Sequence, residues 1–221
     1  MSAWKTLFLS FFCCFLASCA GTGGPYPDSL DFKDLGRIYL NVGDLRIVTG
    51  STSPNWAPFI GQSFKPTLVE AVQQWADDRI QTTGTMGHAT LTIKDASVTE
   101  QPLAIESSWT DLFTRQQVTK YIGRVEVSLT AQRPWDGKMG MASAYAIYEI
   151  TLPEKADAAE RKEAYRKLLI SLMHDLDREM EKAIHKHMTL FIDNNVAPNP
   201  SAAPRAAVVP VPYYAPPVII D

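Results

Sequence analysis

The stretch "QVTKYIGRVEVSLTAQRPWDGKMGMASAYAIYEITL", Gln117–Leu152, holds two alternating segments on either side of a turn. In the first, Val125, Val127, Leu129 and Ala131 recur at every second position. Side chains along a strand point alternately to opposite faces, so this period lays one row against a core. Between the segments, "RPWDGKMG" supplies Asp136 and Gly137, a pair suited to reversing the chain in a hairpin. Upstream, "HATLTIKDASV" and its extension through "LAIE" alternate in the same way. The three segments predict an antiparallel meander.

Working outward, "RIYLNVGDLRIVTG" alternates at Ile38, Leu40 and Val42, then changes phase to Leu45 and Ile47 across Gly43. A phase change at glycine predicts a strand with a bulge. In "PTLVEAVQQWADDRI" the spacing becomes helical, with Leu68, Val69, Val72, Trp75, Ala76 and Ile80 on one face and Pro66 suited to the first turn. Beyond Pro153, Leu168, Leu172, Leu176, Met180, Ile184 and Met188 recur every four residues among charged positions. A helix of that length must lay its apolar stripe across a surface, and the sheet is the one available. The order predicts an α+β fold: an antiparallel sheet of about four to five strands with two helices packed on one face.

At the N-terminus, Lys5 precedes an apolar and small-residue run from Thr6 to Ala17. That run falls short of the roughly 20 residues a membrane-spanning helix needs, and it has the layout of a secretory signal over residues 1–18. Leu16, Ala17, Ser18 and Cys19 follow in order. This resembles the lipobox of bacterial lipoproteins, which implies cleavage before Cys19 and a diacylglyceryl anchor on its sulfur. The competing reading is an ordinary signal peptide that leaves Cys19 as a free thiol. Secreted chains usually use cysteines in pairs. Cys13 and Cys14 would leave with the signal, so the mature chain is expected to have no disulfide, thiol catalysis or cysteine-bound metal. Each buried methylene contributes about 0.8 kcal/mol, and two or more acyl chains anchor a protein stably. Ala20, where sorted lipoproteins of Gram-negative bacteria are retained by Asp, implies by the same resemblance the outer membrane, with the protein facing the periplasm.

The segment after Cys19, "AGTGGPYPDS", is too poor in apolar residues to fold and reads as a tether over residues 19–34. Residues 35–196 make one domain of ordinary size. Residues 197–221 hold seven of the fifteen prolines, including "VPVPYYAPPV", and are expected to form a disordered, extended tail. Removal of Lys5 with the signal leaves 20 of the 21 basic residues against 24 acidic ones. Such a mixed balance argues against nucleic acid, which is bound through clustered Lys and Arg.

A search for chemistry finds little. His185 and His187 would lie about 200° apart around a helix and cannot share a metal. Asp175, Asp177 and Glu179 in "HDLDREMEK" alternate like calcium ligands, but the run is helical and reads as a solvated face. Asp77 and Asp78 are neighbours at a helix end. The Gly-x-Ser-x-Gly, His-Glu-x-x-His and phosphate-loop patterns are absent. No cofactor, metal or catalytic residue is expected. The aromatics of "SPNWAPFIGQSF", "SSWTDLF" and the hairpin turn are more suggestive, and Trp56, Phe59, Trp109, Phe113 and Trp135 are candidate partner-binding residues. Their alternative role, with Phe64 and Leu112, is to fold over the sheet edges and complete the core.

In its lipobox, short tether, first strand, helix of the "PTLVEAVQQWADDRI" kind, strands of the "ATLTIKDASV" and "GRVEVSLTAQ" kind and closing helix, the chain resembles small envelope lipoproteins. These are the lipopolysaccharide-assembly (LptE-like) type, the auxiliary lipoproteins of lipid-transporting ABC systems and the YajG-like lipoproteins. The resemblance implies a non-catalytic accessory or assembly subunit in envelope lipid or lipopolysaccharide transport, with an envelope transport protein as partner. Two other readings stand beside it: a cell-wall or glycan-binding lipoprotein using Trp109 or Trp135, and a hydrolase with an unrecognised site.

Overall fold

A computed structural model describes residues 30–50, 56–103, 118–153, 155–194 and 209–210. The decisive stretch forms strands β5 (Val118–Arg133) and β6 (Lys138–Pro153), paired without a register shift from Arg133↔Lys138 to Val118↔Pro153. The turn between them closes at Gly137, whose φ of 64° lies in the left-handed region. Strand β4 (His88–Leu103) runs antiparallel to β5, with one bulge between Ile93 and Asp95. The meander is as expected.

The rest of the sheet corrects the purely antiparallel expectation. Strand β2 (Asp44–Thr49) pairs parallel to β4, and β1 (Ile38–Leu40) pairs parallel to β3 (Ile80–Thr82) in a separate two-stranded sheet. The physical reason is the connection. Helix α1 (Leu68–Arg79) lies between the partners, and a crossover helix returns the chain to the same end of the sheet, so the paired strands run the same way. Gly43 likewise marks a break between β1 and β2, where the sequence predicts a bulge. The chain segments on both sides jog at the same level, with Thr83 N–H donating to the Leu40 carbonyl (2.9 Å), Gly84 N–H to Val42 (3.1 Å) and Gly43 N–H to Gly87 (3.1 Å).

The larger sheet has the order β6-β5-β4-β2-β7, where β7 is the two-residue strand Val209–Pro210. Of the segment 197–221, only β7 lies within the described residues, and Cys19 with its flanking segments lies outside them.

Helix α1 is started by a capping box between Thr67 and Glu70, and α2 (Ala158–His187) by one between Asp157 and Glu160. Pro66 precedes the cap of α1, not its first turn as expected. Its carbonyl accepts a hydrogen bond from the Tyr165 hydroxyl at 3.0 Å. All six stripe residues, Leu168 through Met188, are buried. They lie over β5 and β6, where Gly123, Gly140, Ala142, Ala144 and Ala146 keep the sheet surface low. A Cβ at Gly123 would stand 2.7 Å from a Leu168 methyl, and one at Gly140 would stand 2.8 Å from the Phe191 ring. Those glycines therefore set how closely α2 and the segment after it approach the sheet. After α2 the chain returns to β1, Asn41 N–H donating to Phe191 and Asp193 N–H to Tyr39.

Candidate binding surface

Two regions hold polar and exposed groups that packing alone does not account for. The first is a charge cluster between the helices. Arg79, the last residue of α1, and Asp177, in the middle of α2, are both buried. Arg79 Nε donates to Asp177 Oδ1 at 2.6 Å, and Trp75 Nε1 donates to the same oxygen at 2.8 Å. The remaining guanidinium donors reach the Leu35 and Gly36 carbonyls and, at 2.9 Å, Glu181 Oε2. Asp78, also buried, accepts from both Gln74 (3.0 Å) and the Phe32 N–H (3.4 Å), with Lys33 at 4.0 Å.

Asp177 thus corrects the solvated-face reading of "HDLDREMEK". A carboxylate taken out of water must be paired and hydrogen-bonded, and here it is paired twice. Phe32 is fully buried, its ring centroid 5.1 Å from that of His174. Burial pushes the His174 imidazole below its ordinary pKa, against the pull of Asp177 and Asp175. The cluster is a clamp: it fixes the first described residues of the chain, 30–36, onto both helices. All three nitrogens of the Arg79 guanidinium donate to groups of the protein itself, which suits the cluster to holding the fold.

The second region is the surface carrying the sequence-predicted aromatics. Trp56 is 68% exposed, beside β4 where the Phe59 segment bridges to Thr99. Phe59 is half-buried there, Ile60 N–H donating to Val98 and Glu100 N–H to Pro58. Phe64 belongs to the core, stacked on Tyr165 at 4.6 Å. Trp135 is 53% exposed at the β5–β6 turn, with the Arg133 guanidinium 5.7 Å from its ring centre and 5.2 Å from that of Phe191. Trp109 and Phe113 lie outside the described residues. Among the described residues the structure does not bring the aromatics to one place: Trp56 lies by β4 and Trp135 at the turn that opens β6.

Sequence reasoning missed a third feature. Strand β6 is apolar on both faces. Ala142, Ala144 and Ala146 face the helix, while Met139, Met141, Tyr145 and Ile147 stand exposed on the opposite face. An apolar residue in both phases reads as a central strand covered on both sides, yet β6 is an edge. Between that edge and the charged side of α2 runs an open groove of about 370 Å³, lined among others by Ser143, Tyr145, Glu179, Lys182 and Lys186.

His185 and His187 are exposed, and among the described residues no group of three or more His, Cys, Asp or Glu is placed to hold a metal ion. No described helix is long and apolar enough to cross a membrane.

No protein-family model matches the chain, and no curated protein matches it. Among solved structures it is similar to a minor lipoprotein from Acinetobacter baumannii, at 10% identity, TM-score 0.34, over 66% of this chain and 95% of that one. It is also similar to a neuraminyllactose-binding hemagglutinin homolog from Helicobacter pylori, at 11% identity, TM-score 0.37, over 70% and 90% of the two chains. A third is a Xanthomonas campestris protein of family DUF330, at 10% identity, TM-score 0.25, over 68% and 87%. Scores this low carry no argument about function.

Proposed function

We propose that this chain is a lipid-anchored envelope protein that works by binding, not by catalysis, as an accessory or assembly subunit in envelope lipid transport. The observation that carries the reading is Leu16-Ala17-Ser18-Cys19, placed directly after a short apolar run that begins behind a single lysine. Two or three acyl chains on Cys19 would hold the protein at a membrane, and Ala20 favours the outer one.

The clamp supports this reading. Cys19 and Leu30 are eleven residue steps apart, a span of at most about 40 Å when fully extended. Just beyond it Phe32 is buried and the Leu35 and Gly36 carbonyls are held by Arg79. An anchor attached there pulls on both helices and not on a fraying end. Tethering raises the local concentration of the domain at the membrane, and Trp56 and Trp135 are exposed aromatics available to meet an envelope transport protein.

Metabolic labelling with a clickable fatty acid tests the anchor. Wild-type chain should take the label and fractionate with the outer membrane, and Cys19→Ser should lose both while folding normally. Label retained in Cys19→Ser overturns the lipobox. Cross-linking of the anchored protein, followed by identification of partners, tests the transport role: a transport component should be recovered from wild-type protein and be absent when Trp56→Ala and Trp135→Ala are combined. Sedimentation with purified peptidoglycan, abolished by Trp135→Ala, would replace that role with glycan binding.

A further inference from the structure

Sheet edges in soluble proteins are normally blunted by proline, lysine, bulges, short length or a covering element. Strand β6 has no proline, lysine or bulge along its middle, and helix α2 covers it on one face only. Its sixteen residues pair with β5 without a bulge, its only lysine is Lys138 at the start and its only proline is Pro153 at the end. At about 3.4 Å per residue the edge is roughly 54 Å long. No strand covers it among the described residues. The exposed row Met139, Met141, Tyr145 and Ile147 adds an apolar stripe beside that edge.

We infer that β6 is a self-association edge, on which a second copy of this chain adds its own β6 antiparallel to the first about a two-fold axis through Ser143. The register follows from the sequence. Residues directly opposite one another in an antiparallel pair share a face. With Ser143 on the axis, Met141 meets the partner's Tyr145 and Met139 meets the partner's Ile147. This is the one same-face register that matches all four apolar residues with each other; moving the axis to Ala144 sets Met139 against the partner's Glu149, and moving it to Ala142 sets Ile147 against the partner's Gly137. On the helix side the same register opposes Ala142 to the partner's Ala144 and Gly140 to the partner's Ala146. It also brings the Lys138 end of each strand to the Glu149 end of the other.

Helix α2 packs chiefly over β6 and less over β5, so joining the two edges brings the α2 helices of the two copies side by side across the junction. The groove along Ser143 and Tyr145 then becomes the helix–helix seam. Its α2 residues run from Glu179 through Lys182 to Lys186, and antiparallel packing centred between Lys182 and Ala183 sets Glu179 against the partner's Lys186, twice by symmetry. The two sheets become one continuous sheet, with the α2 helices of both copies on the same face. This inference goes beyond the proposed function and does not depend on the anchor.

The full chain in native membranes carrying Ser143→Cys tests it. The axis places the two α-carbons at position 143 about 4.5–5.5 Å apart, inside the range a disulfide requires. Mild oxidation should give a band at twice the mass of the monomer. The control Met139→Cys should give none, because its two copies lie on opposite sides of the axis. A monomer band for Ser143→Cys, equal cross-linking at both positions, or a cross-link only to a band of another size overturns the inference. The combined variant Met141→Lys and Tyr145→Lys changes only exposed side chains, so circular dichroism should show an unaltered fold. Its dimer dissociation constant should rise roughly thirtyfold or more, as expected when an apolar anchor is lost; an unchanged constant overturns the proposed face.

Discussion

Arg79 and Asp177 stand 98 residues apart in sequence and 2.6 Å apart in space, each nearly without solvent contact. The pair ties the end of α1 to the middle of α2, and the Leu35 and Gly36 carbonyls ride on the same guanidinium. Removing one member of a buried pair leaves an uncompensated charge, which costs about 3–5 kcal/mol, whereas replacing both by apolar groups is often close to neutral. Asp177→Ala and Arg79→Met should each lower the urea unfolding free energy by about that amount. The double variant Arg79→Met with Asp177→Leu should lose less than the two single losses added together. Full additivity would show that the pair is not coupled.

The two sheet glycines under α2 differ in what a methyl group would meet. At Gly123 the obstacle is a Leu168 methyl, with a Leu172 methyl at 2.9 Å, and both can rotate aside. At Gly140 it is the Phe191 ring, which is buried and backed by the Arg133 guanidinium. Overpacking costs about 1–3 kcal/mol. Gly140→Ala should fall at the upper end of that range and Gly123→Ala at the lower, as read by thermal or urea unfolding. The reverse order would mean that α2 is more rigidly seated than the segment following it.

His174 provides a pH dependence with a definite sign. Its imidazole is held below the ordinary value of 6.5, first by burial, with Asp177 and Asp175 opposing. Below that ordinary value the unfolded chain takes up a proton that the folded chain resists, so stability rises with pH across this interval. The contribution is complete above about pH 6.5 and is lost on acidification toward the lowered folded value. Glu70 and Glu179 act with the same sign but only below their ordinary 4.5, because Lys65 and Lys182 hold their carboxyls down. Between pH 7.5 and 5.5, wild-type protein should lose more stability than His174→Gln, measured as the shift in urea midpoint. Equal shifts would place His174 in a wetter site than its packing on Phe32 implies.

The meander, both helices and the six-residue stripe of α2 were legible because each is a local periodic signal that one burial face imposes. Parallel pairing was not, since it depends on where a crossover helix returns the chain. The clamp leaves a trace in the sequence that is easily taken for surface. Leu68, Val72, Trp75 and Arg79 follow one helical face, as do Met173, Asp177, Met180 and Ile184. A charge falling on each of two apolar stripes signals a buried pair, although the partner's identity is a tertiary fact. The β6 edge leaves a similar trace in its two apolar phases, but no periodicity says which strand of a sheet is last. Of the candidate aromatics, Trp56 and Trp135 are exposed as a binding role requires and Phe59 is half-buried, while the neighbouring Phe64 stacks on Tyr165.

The opposite edge of the sheet gives the last prediction. There β7 lies parallel to β2, with Val209 opposite Val48 and Pro210 opposite Thr49. Proline has no N–H to donate, so a two-residue strand that includes Pro210 supplies at most about one or two hydrogen bonds, each worth roughly 1 kcal/mol net. In a chain of this size 1 kcal/mol moves the melting temperature by about 2–4 °C. Truncation after Val196 should therefore shift the midpoint by no more than about 4–8 °C, while amide exchange along Arg46–Gly50 accelerates because the edge of β2 has lost its cover. Exchange unchanged over those residues would show that Val209–Pro210 does not protect the edge in solution. A loss of about 20 °C or more, well beyond what two hydrogen bonds supply, would show that far more of residues 197–221 packs on the domain than these two positions.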